Sequence, residues 1–166
     1  MILIIDKLSK QRKIYENNNQ EEQIMKELQF KYMDFINVNI KLRQPKTVLN
    51  GDSATGKSYL YHVIEQYTQD NNRKDILCLN IDNVNLNDTE YIINKISKIE
   101  NGIIVIDQAD DILSDSDLWD YVMCDNKNYY IIFGRNYYTQ YTELAMPKIS
   151  SNNMEIEYKI KTAYEV

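Results

Sequence analysis

Gly51-Asp52-Ser53-Ala54-Thr55-Gly56-Lys57-Ser58 sets two glycines, a lysine and a hydroxyl at the spacing G-x-x-x-x-G-K-[ST]. That spacing suits a polyphosphate. The glycines let the backbone wrap closely, so that successive N–H groups converge on phosphate oxygens. Lys57 would reach the β- and γ-phosphates as a point charge, and the Ser58 hydroxyl would ligate Mg²⁺. Such a loop has to follow a strand and open a helix, whose N-terminus adds partial positive charge. Both flanks are legible. Thr47-Val48-Leu49-Asn50 is short, β-prone and preceded by Pro45, while Tyr59, Leu60, Val63, Ile64 and Tyr67 fall on one helical face.

Further along, Ile103-Ile104-Val105-Ile106-Asp107 is an apolar run that delivers an aspartate. In an open α/β sheet the ligand crevice lies beyond the strand carboxyl ends. Asp107 is therefore expected beside Ser58, holding the metal directly or through water. Any buried strand followed by Asp fits this pattern. Its weight comes from its place roughly 45 residues after the loop, with a strand and a helix between.

Together, Gly51–Ser58 and Ile103–Asp111 resemble the P-loop NTPases, in the RecA/AAA-like division that adds a strand between the two motif strands. The resemblance covers roughly residues 46–136. It implies a three-layer fold, ATP with Mg²⁺ as cofactors, and attack of water on the γ-phosphate. ATP rather than GTP rests on that resemblance and on the lack of an N/T-K-x-D box. The division commonly carries a glutamate after the aspartate to polarise the water, and here position 108 is glutamine. Glutamine can position a water but cannot take its proton as a carboxylate does. Three readings stay open: Asp110 supplies the carboxylate, hydrolysis is slow and the chain is an ATP-held switch, or the glutamine was introduced to trap ATP.

The resemblance also implies a polar γ-phosphate sensor at the end of the inserted strand. Arg135 and Asn136 follow Tyr129-Tyr130-Ile131-Ile132-Phe133, and a long, fixed charge such as that of Arg135 suits the task. The expected catalytic set is thus Lys57, Asp107, Gln108, Asp110 and Arg135. The expected nucleotide contacts are Gly51, Asp52, Ser53, Ala54, Thr55, Gly56, Lys57, Ser58, Tyr59 and Asn136, with Ser58 and Asp107 on the metal. Asp111, Asp115 and Asp117 read as a solvated acidic loop and cap, and His62 as an exposed helix residue.

These groups need an α/β scaffold with a mainly parallel central sheet and extra antiparallel edge strands. A β-hairpin is expected where Leu28, Phe30, Tyr32 and then Val38, Ile40, Leu42 alternate with polar residues, with a helix over Glu21–Phe30 as its competitor. Met1–Ile5 reads as a short strand and Asn17–Gln20 as a polar loop. Asp75–Ile81 reads as a strand, Asn87-x-x-Glu90 as a capping-box-like helix start, and Leu118, Trp119, Val122 and Met123 as the inner face of a helix after Ser114-Asp115. Met154, Ile156, Tyr158 and Ile160 alternate with charged residues, as in a half-exposed edge strand.

At 166 residues the chain reads as one domain. Residues 1–45 form an N-terminal strand and hairpin extension, 46–136 the nucleotide-binding core, and 137–166 a C-terminal edge-strand region. With 43% hydrophobic and 27% charged residues it has the composition of a globular protein. No apolar run approaches a membrane span, and the opening segment lacks the basic region of a signal peptide. Cys78 and Cys124 read as reduced core residues of a cytoplasmic protein. The net charge of −6 argues against nonspecific nucleic-acid binding. Partners other than ATP are then a protein or a second copy of the chain. A module that binds ATP without turnover is the main alternative to an ATPase, favoured by Gln108 and the lack of an appended effector domain. A small-molecule kinase ranks lower, because the stretch 136–150 that would form a lid has no arginine. An ABC-type ATPase would need an L-S-G-G-type signature, which the chain lacks.

Overall fold

The computed structural model describes residues 25–34, 36–50, 56–135, 148–149 and 156–158. The expected Met1–Ile5 strand, the polar loop at Asn17–Gln20, the first five residues of the phosphate motif and Asn136 lie outside them.

Strict alternation makes the first two strands. β1 (Lys26–Tyr32) and β2 (Ile36–Leu42) pair antiparallel, with Leu28 opposite Ile40 and Phe30 opposite Val38. A side-chain period of two puts their apolar residues on one face. Leu28, Phe30, Ile36, Val38, Ile40 and Leu42 are all buried, while Glu27, Gln29 and Lys31 are exposed. From Lys26 onward the hairpin thus prevails over the competing helix, because a helical period would scatter these residues around the axis.

Four parallel strands form a separate sheet: β3 (Lys46–Asn50), β4 (Ile76–Leu79), β5 (Ile103–Ile106) and β6 (Tyr129–Gly134), in the order β3-β6-β5-β4. Every residue of β5 is buried, as expected of a strand covered on both faces. Alternate residues divide between two cores. Leu49, Ile76, Ile103, Val105 and Ile131 pack with the hairpin and with Leu60, Val63 and Ile64 of α1 (Lys57–Asp70). Val48, Leu79, Ile104, Ile106 and Ile132 pack on the other face. That face is covered by α2 (Thr89–Ser97), α3 (Ala109–Ile112) and α4 (Ser116–Cys124), through Ile92, Ile96, Ile112, Leu118 and Val122. The result is an α/β architecture with helices on both faces of a parallel sheet.

The expected antiparallel edge strands do not extend that sheet. β1 and β2 form a second sheet with β7 (Lys148–Ile149) and β8 (Ile156–Tyr158), ordered β1-β2-β8-β7. Nor is β8 an edge strand. It pairs in parallel with β2 and antiparallel with β7, so both its sides are taken. The alternation around Met154–Ile160 specifies which residues share a face, and says nothing about neighbours within the sheet.

Two polar anchors hold the amino-terminal ends of the strands. Lys46 is buried, donates to the Asp125 carbonyl oxygen and lies 4.8 Å from the Tyr130 ring centroid. Asn128, also buried, donates to the Ile99 carbonyl at 2.9 Å and accepts the Gly102 N–H at 3.1 Å. Gly102 has no room for a side chain, because a Cβ there would stand 2.5 Å from the Asp75 carbonyl oxygen.

Helix starts refine the expected caps. Asp115 caps α4 by accepting the N–H groups of Asp117 and Leu118, both at 3.0 Å. The cap of α2 is Asp88 rather than Asn87, through the Tyr91 N–H at 2.9 Å. Cys78 is partly buried and Cys124 is exposed at the end of α4, so only the first fits the expected core placement. Among the described residues, no helix is long and apolar enough to cross a membrane.

Candidate functional site

Parallel pairing brings the strand carboxyl ends to one edge. Asn50 lies opposite Gly134, Ile132 opposite Ile106, and Ile106 opposite Leu79. Each strand therefore releases its chain at a similar height. A cavity of about 280 Å³ opens at this edge. Its lining comes from three exits: Gly56, Lys57, Ser58 and Tyr59 after β3, Asp107, Gln108 and Asp110 after β5, and Phe133, Gly134 and Arg135 at the end of β6. Every candidate site residue that is described lies in this lining.

Gly56 precedes α1 with φ 88° and ψ 4°, a left-handed conformation open to glycine without penalty. Its carbonyl accepts the Leu60 N–H at 2.9 Å, closing the first turn. Lys57 and Ser58 follow directly, in the first turn of α1, and a helix N-terminus favours an anion. Tyr59 departs from the expected buried face. It is 48% exposed at the cavity, while Tyr61 takes a fully buried position. Leu60, Val63 and Ile64 of the expected face are buried and Tyr67 is partly buried, so Tyr59 alone leaves that face and Tyr61 joins it.

Asp107 is 6% exposed, and its N–H donates to the Leu79 carbonyl at 2.9 Å, so its root continues the sheet. Gln108 leaves the sheet abruptly, with φ 51° and ψ 43°. A non-glycine residue in this region costs about 1–2 kcal/mol. The reversal starts α3, whose Ala109 and Ile112 are buried against the sheet while Gln108 stays exposed. Asp110, in the first turn of α3, reaches across to β6. Its Oδ2 accepts the Arg135 backbone N–H at 2.8 Å.

Ser58 and Asp107 are both hard oxygen donors on one cavity. Mg²⁺ favours few protein ligands, with phosphate and water completing the shell, so this pair fits it. Among the described residues, no group of three or more His, Cys, Asp or Glu assembles into a metal cage.

A second polar cluster braces the same edge. The Asn80 and Asn83 side chains each accept the other residue's N–H at 3.0 Å. Asn83 Nδ2 also donates to the Tyr61 hydroxyl at 3.1 Å, and that hydroxyl donates to Glu65 Oε1 at 3.0 Å. Burial pushes the Tyr61 hydroxyl pKa far up, and it pushes the neighbouring Cys78 thiol up to about 12. Both groups stay protonated at neutral pH and tie α1 to the exit of β4. His62 is exposed beside Glu65 at 3.4 Å, away from the cavity lining, as its position in the helix implied.

Phe133 and Gly134 were not singled out as site residues by the motif pattern. Their signal was positional, since they end the strand that precedes Arg135. The chain matches no family model, no curated protein and no solved structure.

Proposed function

We propose that this chain binds Mg-ATP at the cavity beyond the strand carboxyl ends and hydrolyses it slowly. The observation that carries the reading is one of placement: Lys57, Ser58, Asp107 and Arg135 reach a single cavity from three different strand exits. The strand order supports it as well, because β6 lies between β3 and β5. An inserted strand in that place is what a resemblance to the RecA/AAA-like P-loop NTPases implies.

In this reading the α1 N-terminus and the Lys57 ammonium hold the β- and γ-phosphates. The Ser58 hydroxyl and Asp107 carboxylate hold Mg²⁺, whose charge offsets that of the phosphate oxygens. Gln108, exposed at the cavity, offers an amide to orient a water against the γ-phosphorus. As the water oxygen bonds to phosphorus, the bond to the β,γ-bridging oxygen breaks. Gln108 cannot accept the proton released, so that proton passes to a phosphate oxygen, and turnover is slow. Arg135 at the rim offers its guanidinium to the γ-phosphate.

A non-hydrolysing switch that shows a partner a nucleotide-dependent surface is the second reading. What favours it is that one oxygen of Asp110, the alternative carboxylate, already takes a backbone N–H. Binding and phosphate release separate the two. Lys57→Ala should lower Mg-ATP affinity at least tenfold, by loss of a charge-assisted contact worth about 1.5–3 kcal/mol. Unchanged affinity in that variant would sink the site. Slow release by the chain as written, and faster release by Gln108→Glu, is the result expected of an ATPase. No release from either leaves the switch.

A further inference from the structure

The hydrogen bond between Asp110 and Arg135 joins residues that are 25 apart in sequence and leave different strands. Asp110 belongs to α3, which is seated on the sheet by Ala109 and Ile112 at 0% and 2% exposure. Arg135 is the first residue beyond β6 and is exposed. Nothing in the sheet ladder fixes its backbone, because β6 ends at Gly134. The carboxylate supplies the missing acceptor, and a hydrogen bond to an ionised group is among the stronger ones available. Both residues line the cavity that also holds Lys57 and Ser58.

We propose that Asp110 is a positioning residue, which fixes the backbone of Arg135 so that its guanidinium meets the γ-phosphate. The proposal rests on the nucleotide reading above and assigns Asp110 a different task from polarising the water. The carboxylate is aimed at β6 by the N–H it accepts. Gln108, two residues earlier and exposed, remains to face the water. The turn after β5 and the turn after β6 then behave as one piece. A ligand that draws Arg135 inward also loads α3 through Asp110, which links the γ-phosphate to the face of the sheet that α2, α3 and α4 cover.

The test compares Mg-ATP and Mg-ADP affinity in the full chain for Asp110→Ala, Asp110→Asn, Arg135→Ala and the double alanine variant, with thermal melts as a check of folding. Arg135→Ala and Asp110→Ala should each weaken ATP by about tenfold while sparing ADP, as expected for one charge-assisted bond. The double variant should be no worse than either single one. Asp110→Asn keeps an acceptor oxygen in place and should restore most of the discrimination. Equal losses for ATP and ADP would reduce Asp110 to a fold-supporting residue and overturn the proposal. So would an Asp110→Asn variant that abolishes phosphate release with ATP affinity intact, since that is the mark of a base. If the unmodified chain binds neither nucleotide, the parent reading falls and this proposal falls with it; if the chain binds ATP and the alanine variants lose no preference for ATP over ADP, this proposal falls alone.

Discussion

Gly56 and Gln108 both adopt left-handed backbone at the cavity, with φ 88° and 51°, yet only one of them is glycine. The same conformation therefore has opposite consequences under substitution. Gly56→Ala puts a Cβ on left-handed backbone, and should lower stability by about 1–2 kcal/mol in urea unfolding. Gln108→Gly removes a comparable strain but gives the unfolded chain more freedom, a cost of about 0.5–1 kcal/mol. The relief equals or exceeds that cost, so stability should hold or rise, by about 0–1.5 kcal/mol. Loss well beyond 1 kcal/mol would mean that the Gln108 amide holds the turn. A residue kept in a strained conformation at a candidate site suggests that its side chain is wanted there. Gln108→Gly should accordingly slow phosphate release more than it alters folding.

The hairpin is an element whose role goes beyond its own sheet. Its apolar face lies on α1, and the rings of Phe30 and Tyr67 stack with centroids 3.8 Å apart and planes 8° from parallel. Through α1 the hairpin bears on Lys57 and Ser58, although it lies far from them in sequence. Phe30 is 8% exposed, and Phe30→Ala should cost about 3–5 kcal/mol by opening a cavity between the sheet and the helix. The substitution leaves the cavity lining intact, so Mg-ATP should recover part of the lost melting temperature by binding only the folded state. A variant that melts early and gains nothing from saturating Mg-ATP would mean that the hairpin contact is itself needed to hold α1, and with it Lys57 and Ser58, in place. The hairpin was legible because both Leu28–Tyr32 and Val38–Leu42 alternate with a period of two, although a helix over Glu21–Phe30 competed for the first. Its membership of a second sheet was not, since strand pairing depends on backbone edges and on chain entropy across long loops.

At the scale of the whole molecule, two ends of one parallel sheet carry different chemistry. The carboxyl ends gather the cavity, and this half was readable: a phosphate motif, an aspartate and an arginine each follow an apolar run, and parallel strands must deliver them to one edge. The amino-terminal ends carry a buried polar cluster around Lys46, Asp125, Asn128 and Tyr130, which no local pattern announced. Lys46 sits 79 residues from the carbonyl it binds, and such a pairing exists only after β3 and β6 meet. That cluster sets an acid and an alkaline dependence of the same sign, stability rising with pH in each window. Burial alone would raise the Asp125 carboxyl, but hydrogen bonds from Tyr130, the Lys127 N–H and Asn128, with the charge of Lys46, hold it below the usual range. The Arg73 guanidinium does the same for Asp75. Carboxyls lowered in this way stabilise the fold fully above their unfolded value of about 3.9 and stop doing so as pH falls through the folded values. Lys46 has the same sign in a higher pH window. Burial lowers its pKa against the pull of Asp125 and Cys124, so the unfolded chain binds its proton more tightly. Stability is therefore gained as pH rises from the folded pKa of Lys46 toward the unfolded value of about 10.4. Urea midpoints should be flat near neutrality and fall below pH of about 4. Asp125→Asn should flatten the acid limb, and Lys46→Met should remove the alkaline gain. An acid limb unchanged in Asp125→Asn would place the titrating group elsewhere and leave the Lys46 cluster as packing alone.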